Sequence, residues 1–404
     1  MRWKEVLVGL MAGALIAGSA SARVNPEEAP AKVEPAKPAV TADIAEAVQG
    51  LLDGMTEAVI TGNEEAYLRH VWASDRVLFM EETHFIEDCI KNRPVQYLLT
   101  ATDLKHDGDG LIGELTAVWR MQEGEARDIT FPVRFRRDEA GWRYAGRVWE
   151  VVDAPGVRVL FAPGYEDVAK AVVAEMPAIM AMVHEDMQVQ PPAGFVQEVK
   201  MYESMREMQF SIFPSYSDPL GGWNEPHESM KILVRPSSRP QQLKVLLAHE
   251  YGHVGTFLMG EKATDAPWWM LEGIAELVSS SYGTSAERVQ RRVLSWAKED
   301  RLAPWEAMHA FPLAPDDRKW GGHVYTQGHH MVRFVSDEFG REARNRWIRA
   351  MAEGASLDKA SVEQLGVPFA EVDARWRKKL EVDLLAQERE QEQPDAAPAE
   401  SATK

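Results

Sequence analysis

The feature that most constrains the fold is the segment HEYGH at residues 249–253, which follows the apolar residues 245–247. Residues four apart lie on one face of an α-helix, about a turn from each other. A helix here would therefore present the two imidazoles side by side while its apolar residues face a core. The preceding SSRP at residues 237–240 supports this, because a serine cap with proline in the first turn typically begins a helix.

A second helix is predicted directly after Pro267 and carries WWMLEGIAE at residues 268–276. Its Glu272 follows His253 after eighteen intervening residues. Two neutral imidazoles and one carboxylate, with a fourth position left open, are the donor set of a catalytic zinc site. The sequence therefore predicts that His249, His253 and Glu272 bind one Zn²⁺ per chain.

Glu250 lies beside the two histidines on the same side of the predicted helix. A carboxylate there can reach a water molecule at the metal without binding the metal itself. We expect Glu250 to act as the general base that takes a proton from the attacking water and returns it to the leaving amine. The alternative interpretation is a helix whose histidines lie at a polar surface and bind no metal.

This part of the sequence resembles the gluzincin zinc metallopeptidases, both their aminopeptidase branch and the smaller peptidase-MA-like proteins. The resemblance rests on HEYGH, the eighteen residues that follow it, and a Glu within the pattern W-x-L-E-G-x-A-E. The resemblance covers residues 157 to about 353 and implies a mostly helical zincin-type domain with a small sheet. It assigns zinc to the same two histidines and Glu272, and the role of base to Glu250. It also implies that Glu276, one turn after Glu272, orients a histidine ligand, namely His249.

Gluzincins also place a tyrosine on a downstream helix, where its hydroxyl stabilises the oxyanion of the reaction. The segment GGHVYTQGH at residues 321–329 resembles that helix, and Tyr325 is the predicted donor. His323 and His329 remain alternatives, because His329 lies one turn after Tyr325. An ordinary core tyrosine is as compatible with the pattern as a functional one.

Two elements of other gluzincins are missing from this sequence. The Gly-x-Met-Glu-Asn element with which aminopeptidases bind a free N-terminus is absent, so we do not predict aminopeptidase activity. The Asn-Glu-x-x-x-Asp element of thermolysin is absent as well. The strand predicted at residues 230–234 is expected to be the sheet edge that pairs with an extended substrate peptide, with residues 221–223 at its rim.

Residues 41–153 are predicted to form an accessory α+β domain. Apolar residues between positions 44 and 59 recur at helical spacing. Three later segments alternate with period two: residues 115–121, 129–135 and 142–148. Turns separate them, which predicts an antiparallel meander, and helices followed by a curved sheet resemble the nuclear-transport-factor-like cone. The predicted fold is therefore α+β, with this cone followed by the zincin-type domain at residues 156–385.

The two ends of the chain have compositions unlike the rest. Residues 1–22 are typical of an export signal, with a basic start, an apolar run and an Ala-Ser-Ala cleavage site. We expect removal of this signal and an exported protein, periplasmic or secreted; an uncleaved membrane anchor is the alternative. Residues 23–40 are predicted to be a Pro/Ala-rich linker, and residues 386–404 a disordered tail.

Composition narrows the choice of partner. The net charge of −18, without a long Lys/Arg cluster, argues against nucleic acid. Cys89 is the only cysteine, so an internal disulfide framework is excluded. No segment after the signal is apolar enough to cross a membrane. We expect a protein or peptide substrate, and the alternative is a metallopeptidase-like fold that serves as a binding or assembly module without turnover.

Two further patterns are given ordinary structural interpretations. Residues 103–114 superficially resemble a calcium loop, but Lys105 occupies a ligand position. A turn before a strand is therefore predicted there. Trp268 and Trp269 are predicted to be core residues and not a binding site.

Overall fold

The computed structural model describes residues 39–283, 286–311 and 319–392. The predicted signal peptide, most of the predicted linker and the last part of the predicted tail lie outside these residues. The described chain is α+β, as predicted, with an antiparallel sheet near its start and a helical region after it. None of its helices combines the length and the apolar character that a membrane crossing requires.

Helices precede the first sheet. They are α1 (Ala42–Thr61), α2 (Glu64–Leu68) and α3 (Arg76–Lys91). The first ends at Gly62, whose φ of 70° lies in the left-handed region that glycine adopts without strain. The apolar spacing between positions 44 and 59 predicted α1, whereas no pattern predicted α3. Glu81 and Asp88 lie on the buried face of α3, so its apolar periodicity is interrupted.

Four strands form an antiparallel meander in chain order. They are β1 (Gln96–Asp107), β2 (Gly110–Arg120), β3 (Arg127–Asp138) and β4 (Gly141–Arg147). The last three were predicted, and their antiparallel arrangement is confirmed. Residues 103–114 form the end of β1, a tight turn in which Asp107 pairs with Gly110, and the start of β2, so the turn predicted there is confirmed.

Buried apolar side chains from these helices and strands form one core. Leu52, Ile86, Trp119 and Phe135 are among its most buried members. Phe210, which comes from far along the chain, belongs to the same core. The N-terminal part is therefore packed directly against a later segment.

A second sheet has five strands. They are β5 (Glu150–Ala154), β6 (Val157–Phe161), β7 (Gln197–Tyr202), β8 (Gly222–Trp223) and β9 (Met230–Leu233). Their order is β5-β6-β7-β9-β8, with parallel pairing of β7 to both β6 and β9. The antiparallel hairpin of β5 and β6 crosses the predicted domain boundary at residues 153–156.

The prediction that residues 230–234 form the sheet edge was wrong. β9 is paired on one side with β7 and on the other with β8, so β8 is the edge strand. A strand of two residues shows no alternation in the sequence, which explains why residues 221–223 were recognised only as part of a rim.

The second part of the chain is otherwise helical. Its helices are α4 (Glu166–Met187), α5 (Met205–Ile212), α6 (Pro240–Phe257), α7 (Trp268–Ser279), α8 (Ala286–Lys298), α9 (Gly321–Phe339), α10 (Arg341–Ala352), α11 (Leu357–Leu365) and α12 (Phe369–Glu392). α6 begins at Pro240, as predicted, but the Ser238 hydroxyl accepts the Arg235 N–H and does not cap the helix. α12 continues past residue 386, where the disordered tail was predicted to begin, because Glu, Gln and Arg are good helix formers.

Helices α6, α7 and α9 pack closely because glycines lie at their contacts. A Cβ at Gly252 of α6 would lie 2.9 Å from the Ala275 Cα of α7. A Cβ at Gly273 of α7 would lie 2.6 Å from the Gly328 carbonyl of α9. Any larger residue at these positions would push the helices apart. The three helices that carry the predicted site residues are thus held side by side.

Candidate metal centre

Helices α6 and α7 bring two imidazoles and a carboxylate to one point. The Oε2 atom of Glu272 lies 3.2 Å from His249 Nε2 and 3.5 Å from His253 Nε2. One donor atom from each residue lies within 4.8 Å of the others. The three side chains are only 14%, 13% and 12% exposed, in the order His249, His253 and Glu272.

The hydrogen bonding of Glu272 fits a metal ligand. Its Oε1 atom accepts the indole N–H of Trp268 at 2.9 Å. Its Oε2 atom is buried and has no hydrogen bond of acceptable geometry, although two imidazole nitrogens lie close to it. Buried carboxylate oxygens are seldom left in this state, and a cation shared with the imidazoles would satisfy all three donors.

Glu276 lies behind His249. Its Oε1 atom is 3.3 Å from His249 Nδ1, so the two ring nitrogens face different carboxylates. Burial lowers the pKa of His249, but hydrogen bonds to Glu272 and Glu276 outweigh it and hold the pKa well above its usual value. Burial would raise the pKa of Glu272, yet the two imidazoles hold it far below its usual value. The cluster therefore favours a cation between its carboxylates and histidines.

Glu250 is 5% exposed and faces the same cleft as the three donors. The amide group of Asn224 donates to Glu250 Oε2 at 2.7 Å and to the Glu250 backbone carbonyl at 3.1 Å. A Cβ at Gly222 would overlap the Glu250 carboxylate, so edge strand β8 lies flush against this side chain. Burial raises the pKa of Glu250, while His249 and His253 oppose the rise.

The roles of Asn224 and Gly222 were not predicted from the sequence. Both residues lie more than twenty residues before Glu250, the residue that they contact, and no spacing rule links them to it. The GGW at residues 221–223 was the available signal, because glycine in a strand often marks a close approach of another chain segment.

The donors line a cleft of about 600 Å³ together with Tyr325. The rings of Tyr325 and His249 are 6.1 Å apart, and Tyr325 is 38% exposed. Burial of its hydroxyl, with help from Glu272 and Glu250, raises the pKa of Tyr325 above its usual value. The hydroxyl therefore stays protonated and can donate at neutral pH.

The two alternatives to Tyr325 point elsewhere. His323 stacks on Trp296 at 3.8 Å between ring centroids, and its Nε2 lies 3.0 Å from the Arg301 carbonyl. His329 is 1% exposed, and burial lowers its pKa to about 4. Neither histidine lines the cleft, so Tyr325 is the one predicted donor that does.

The two adjacent tryptophans have different environments. Trp269 is fully buried and packs against Trp305, Trp347 and Phe369, as predicted for a core residue. Trp268 is half-buried: it packs against the same core and also lines the cleft, so the prediction holds for Trp268 only in part. Successive helical residues point about 100° apart, which lets one face the core and the other the cleft.

Comparisons with known proteins do not name a family for this chain. No protein-family model matches the sequence, and no curated protein matches it. One solved structure that is similar over part of the fold is a candidate aromatic ring hydroxylase from Novosphingobium aromaticivorans. It is 17% identical, and the match covers 26% of this chain and 87% of that chain with a TM-score of 0.22. With so low a TM-score, the likeness supports no conclusion about fold or function.

Proposed function

We propose that this chain is a zinc-dependent peptidase of gluzincin type that hydrolyses peptide bonds. The observation that carries the proposal is the meeting of His249, His253 and Glu272 at one point, beside a buried Glu250, in one cleft. The helical region of the second part supports a zincin-type domain, and the helices and meander of the first part support an accessory cone of the nuclear-transport-factor-like kind.

His249, His253 and Glu272 would hold the zinc ion. Zinc bound there would supply Lewis acidity, which lowers the pKa of a bound water toward about 7 and polarises a carbonyl. Glu276 contacts His249 Nδ1 and so leaves Nε2 as the ligating nitrogen. Trp268 donates a hydrogen bond to Oε1 of Glu272, so Oε2 remains for the metal.

Glu250 is the proposed general base. Asn224 fixes one of its oxygens and strand β8 limits its movement, so the carboxylate keeps one orientation in the cleft. Burial makes it more basic than an exposed carboxylate, which favours its taking a proton from water and returning it to the leaving amine. Tyr325 is the proposed hydrogen-bond donor to the oxyanion.

The substrate backbone would bind at β8. This strand is the edge of the second sheet and lines the cleft beside Glu250. The outer edge of a strand offers backbone N–H and C=O groups to an extended peptide. Substrate pairing at β8, and not at β9, would bring a peptide bond over the candidate metal centre.

Metal content and cleavage test the proposal together. We expect one equivalent of zinc in the purified protein, and a loss of at least tenfold in zinc affinity for His249→Ala, His253→Ala and Glu272→Ala. His106→Ala, in the N-terminal sheet, is the control and should retain zinc. Casein or a peptide library should be cleaved by the wild type, whereas Glu250→Gln should keep zinc and lose cleavage by at least about a hundredfold.

The outcomes separate the candidate functions. Stoichiometric zinc without cleavage in either protein would contradict a peptidase and favour a binding or assembly module. Protein without zinc, and without measurable affinity for it, would contradict the metal centre itself.

A further inference from the structure

Four aromatic side chains form one continuous surface in the cleft, here called the aromatic wall: Tyr216, Trp223, Trp268 and Phe311. Ring centroids are 5.5 Å apart for Tyr216 and Trp223, and 5.9 Å apart for Trp223 and Phe311. Those of Trp268 and Phe311 are 5.1 Å apart. The members come from three separate segments of the chain, so the fold assembles the wall and no local motif does.

The aromatic wall begins at the candidate metal centre. Trp268 donates its indole N–H to Glu272, and its ring lies 6.3 Å from that of Tyr325. Tyr325 in turn lies 6.1 Å from His249. A peptide bond held between Glu250 and Tyr325 would therefore have one of its neighbouring side chains against the wall.

The wall leaves apolar surface open to the cleft. Phe311 is 36% exposed, and Tyr216, Trp223 and Trp268 are half-buried, whereas the neighbouring Trp269 is fully buried. Aromatic surface in a concavity is stabilised when a ligand covers it, and ligand sites are commonly lined in this way.

The charges around the wall disfavour an acidic ligand. Among the described residues that line the cleft, the acidic side chains are Glu225, Glu250, Glu272 and Glu276, and none is Lys or Arg. Burial raises the pKa of Glu225 to about 7, so this carboxyl is only partly ionised at neutral pH. Two of these acids would be neutralised by the metal. The remaining negative charge favours an uncharged side chain next to the bond and repels Asp or Glu.

We propose that the aromatic wall is the subsite for a large apolar side chain, above all an aromatic one, directly beside the scissile peptide bond. The substrates are thus peptides with Phe, Tyr, Trp or Leu next to the cleaved bond. This inference rests on the proposed peptidase function, because it names the substrate class of the same site.

Cleavage of a peptide library tests the subsite. Zinc-loaded protein is incubated with a library in which the residues on both sides of each peptide bond vary, and the products are identified by mass spectrometry. We expect cleavage beside Phe to exceed cleavage beside Ala by about tenfold or more on one side of the bond. Cleavage beside Asp should be slower than beside Ala.

Variants of the wall locate this preference. Phe311→Ala and Tyr216→Ala should each lower the Phe-to-Ala ratio by at least about fivefold while zinc content stays unchanged. Phe79→Ala, which removes a half-buried ring of α3 outside the cleft, is the matched control and should keep the wild-type ratio. Phe311→Leu keeps an apolar side chain but removes the aromatic ring, so it should lower the Phe-to-Ala ratio by a smaller factor, and it replaces the alanine variants as the test if they do not fold.

A direct binding measurement separates failure of the subsite from failure of the proposed function. Zinc-loaded Glu250→Gln is titrated with a Phe-containing peptide and its Ala counterpart by calorimetry. Tighter binding of the Phe peptide without any cleavage by the wild type would support the subsite and refute the peptidase. Equal binding of both peptides, or an unchanged ratio in Phe311→Ala and Phe311→Leu, would overturn the subsite.

Discussion

The absence of a Cβ at Gly222 allows the Glu250 carboxylate to keep its position in the cleft. A Cβ at Gly222 would overlap the Glu250 carboxylate, whereas a Cβ at Gly221 would meet only the Leu246 side chain at an ordinary 3.4 Å. We therefore expect Gly222→Ala to lower the cleavage rate by about tenfold to a hundredfold, because about 1 Å of misplacement of a catalytic group has this effect. Zinc content should not change, since the three ligands are untouched.

Gly221→Ala provides the control for this prediction. The two substitutions are chemically identical and adjacent, so a general weakening of the β8 strand would affect both alike. Equal activity of the two variants would show that β8 does not position Glu250. Rates on a fixed peptide, with zinc content by mass spectrometry, make the comparison.

His249 gives the candidate metal centre a pH dependence that can be measured. Hydrogen bonds to Glu272 and Glu276 keep the pKa of His249 well above its usual value, so the metal-free protein carries a proton on this ring at pH 7. Zinc binds neutral imidazole, and binding must release that proton. We expect release of about one proton per zinc at pH 7, and an apparent Kd that rises about tenfold for each unit of pH decrease.

Calorimetric titration with zinc, in buffers of different ionisation enthalpy, counts the released protons. Glu276→Gln removes one of the carboxylates that raise the pKa of His249, so it should release fewer protons. If the variant and the wild type release the same number, Glu276 does not hold the His249 ring.

At the scale of elements, the sequence predicted the helices that carry the candidate metal centre better than the elements that pack around them. α6 and α7 were predicted because Pro240 and Pro267 mark their starts and their apolar residues keep helical spacing. α3 was not predicted, because its buried face carries Glu81 and Asp88. Their partners lie on distant elements, and nothing local in the sequence shows that a charge will be paired.

The buried ion network around Glu81 stabilises the contact between α3 and the second sheet. Glu81 forms ion pairs with Lys200 of β7 and Lys231 of β9 and accepts the Ser229 hydroxyl. Lys231 is fully buried. Removal of one partner leaves a buried charge unpaired, so we expect Glu81→Gln to lower the free energy of unfolding by about 3 kcal/mol. Urea unfolding measures this change.

The control for Glu81→Gln is Glu363→Gln, which removes an exposed pair with Lys359 and should cost less than about 1 kcal/mol. The pH dependence of this stabilisation follows from the pKa of Glu81. Burial would raise this pKa, but the two lysines lower it from 4.5 to about 2. The stabilisation is therefore complete above pH 4.5 and is lost as the pH falls through 2. An equal loss of stability in both variants would contradict a role for the buried network.

For the whole molecule, the sequence predicted two domains with a boundary at residues 153–156, and in the structure contacts between distant residues join the two parts. The β5–β6 hairpin crosses that boundary, and Phe210 completes the N-terminal core. Trp119 donates its indole N–H to the Pro214 carbonyl at 3.0 Å. The contacts of Phe210 and Trp119 could not be predicted, because each pairs residues that are far apart in the chain and carry no shared pattern.

These contacts also tie the N-terminal part to the cleft. Arg127 of β3 donates to the carbonyl of Tyr216 at 2.7 Å, and Asp88 of α3 accepts the Ser215 hydroxyl at 2.8 Å. The segment 214–216, which delivers one member of the aromatic wall, is thus anchored on the first sheet and its helices. The N-terminal part therefore packs against the cleft and holds one of its segments in place; it is not a separate domain on a linker.

A chain that begins at Glu150 should therefore fail to form a working site. It would expose Phe210, leave Lys200 without Glu81 and release the segment 214–216, and each loss removes contacts that the second part cannot replace. We expect this truncated chain to show no cooperative thermal unfolding and no stoichiometric zinc. Addition of residues 39–149 in trans should restore part of both, because the contacts are non-covalent. A truncated chain that binds one zinc and melts as sharply as the intact protein would show that the two parts fold independently.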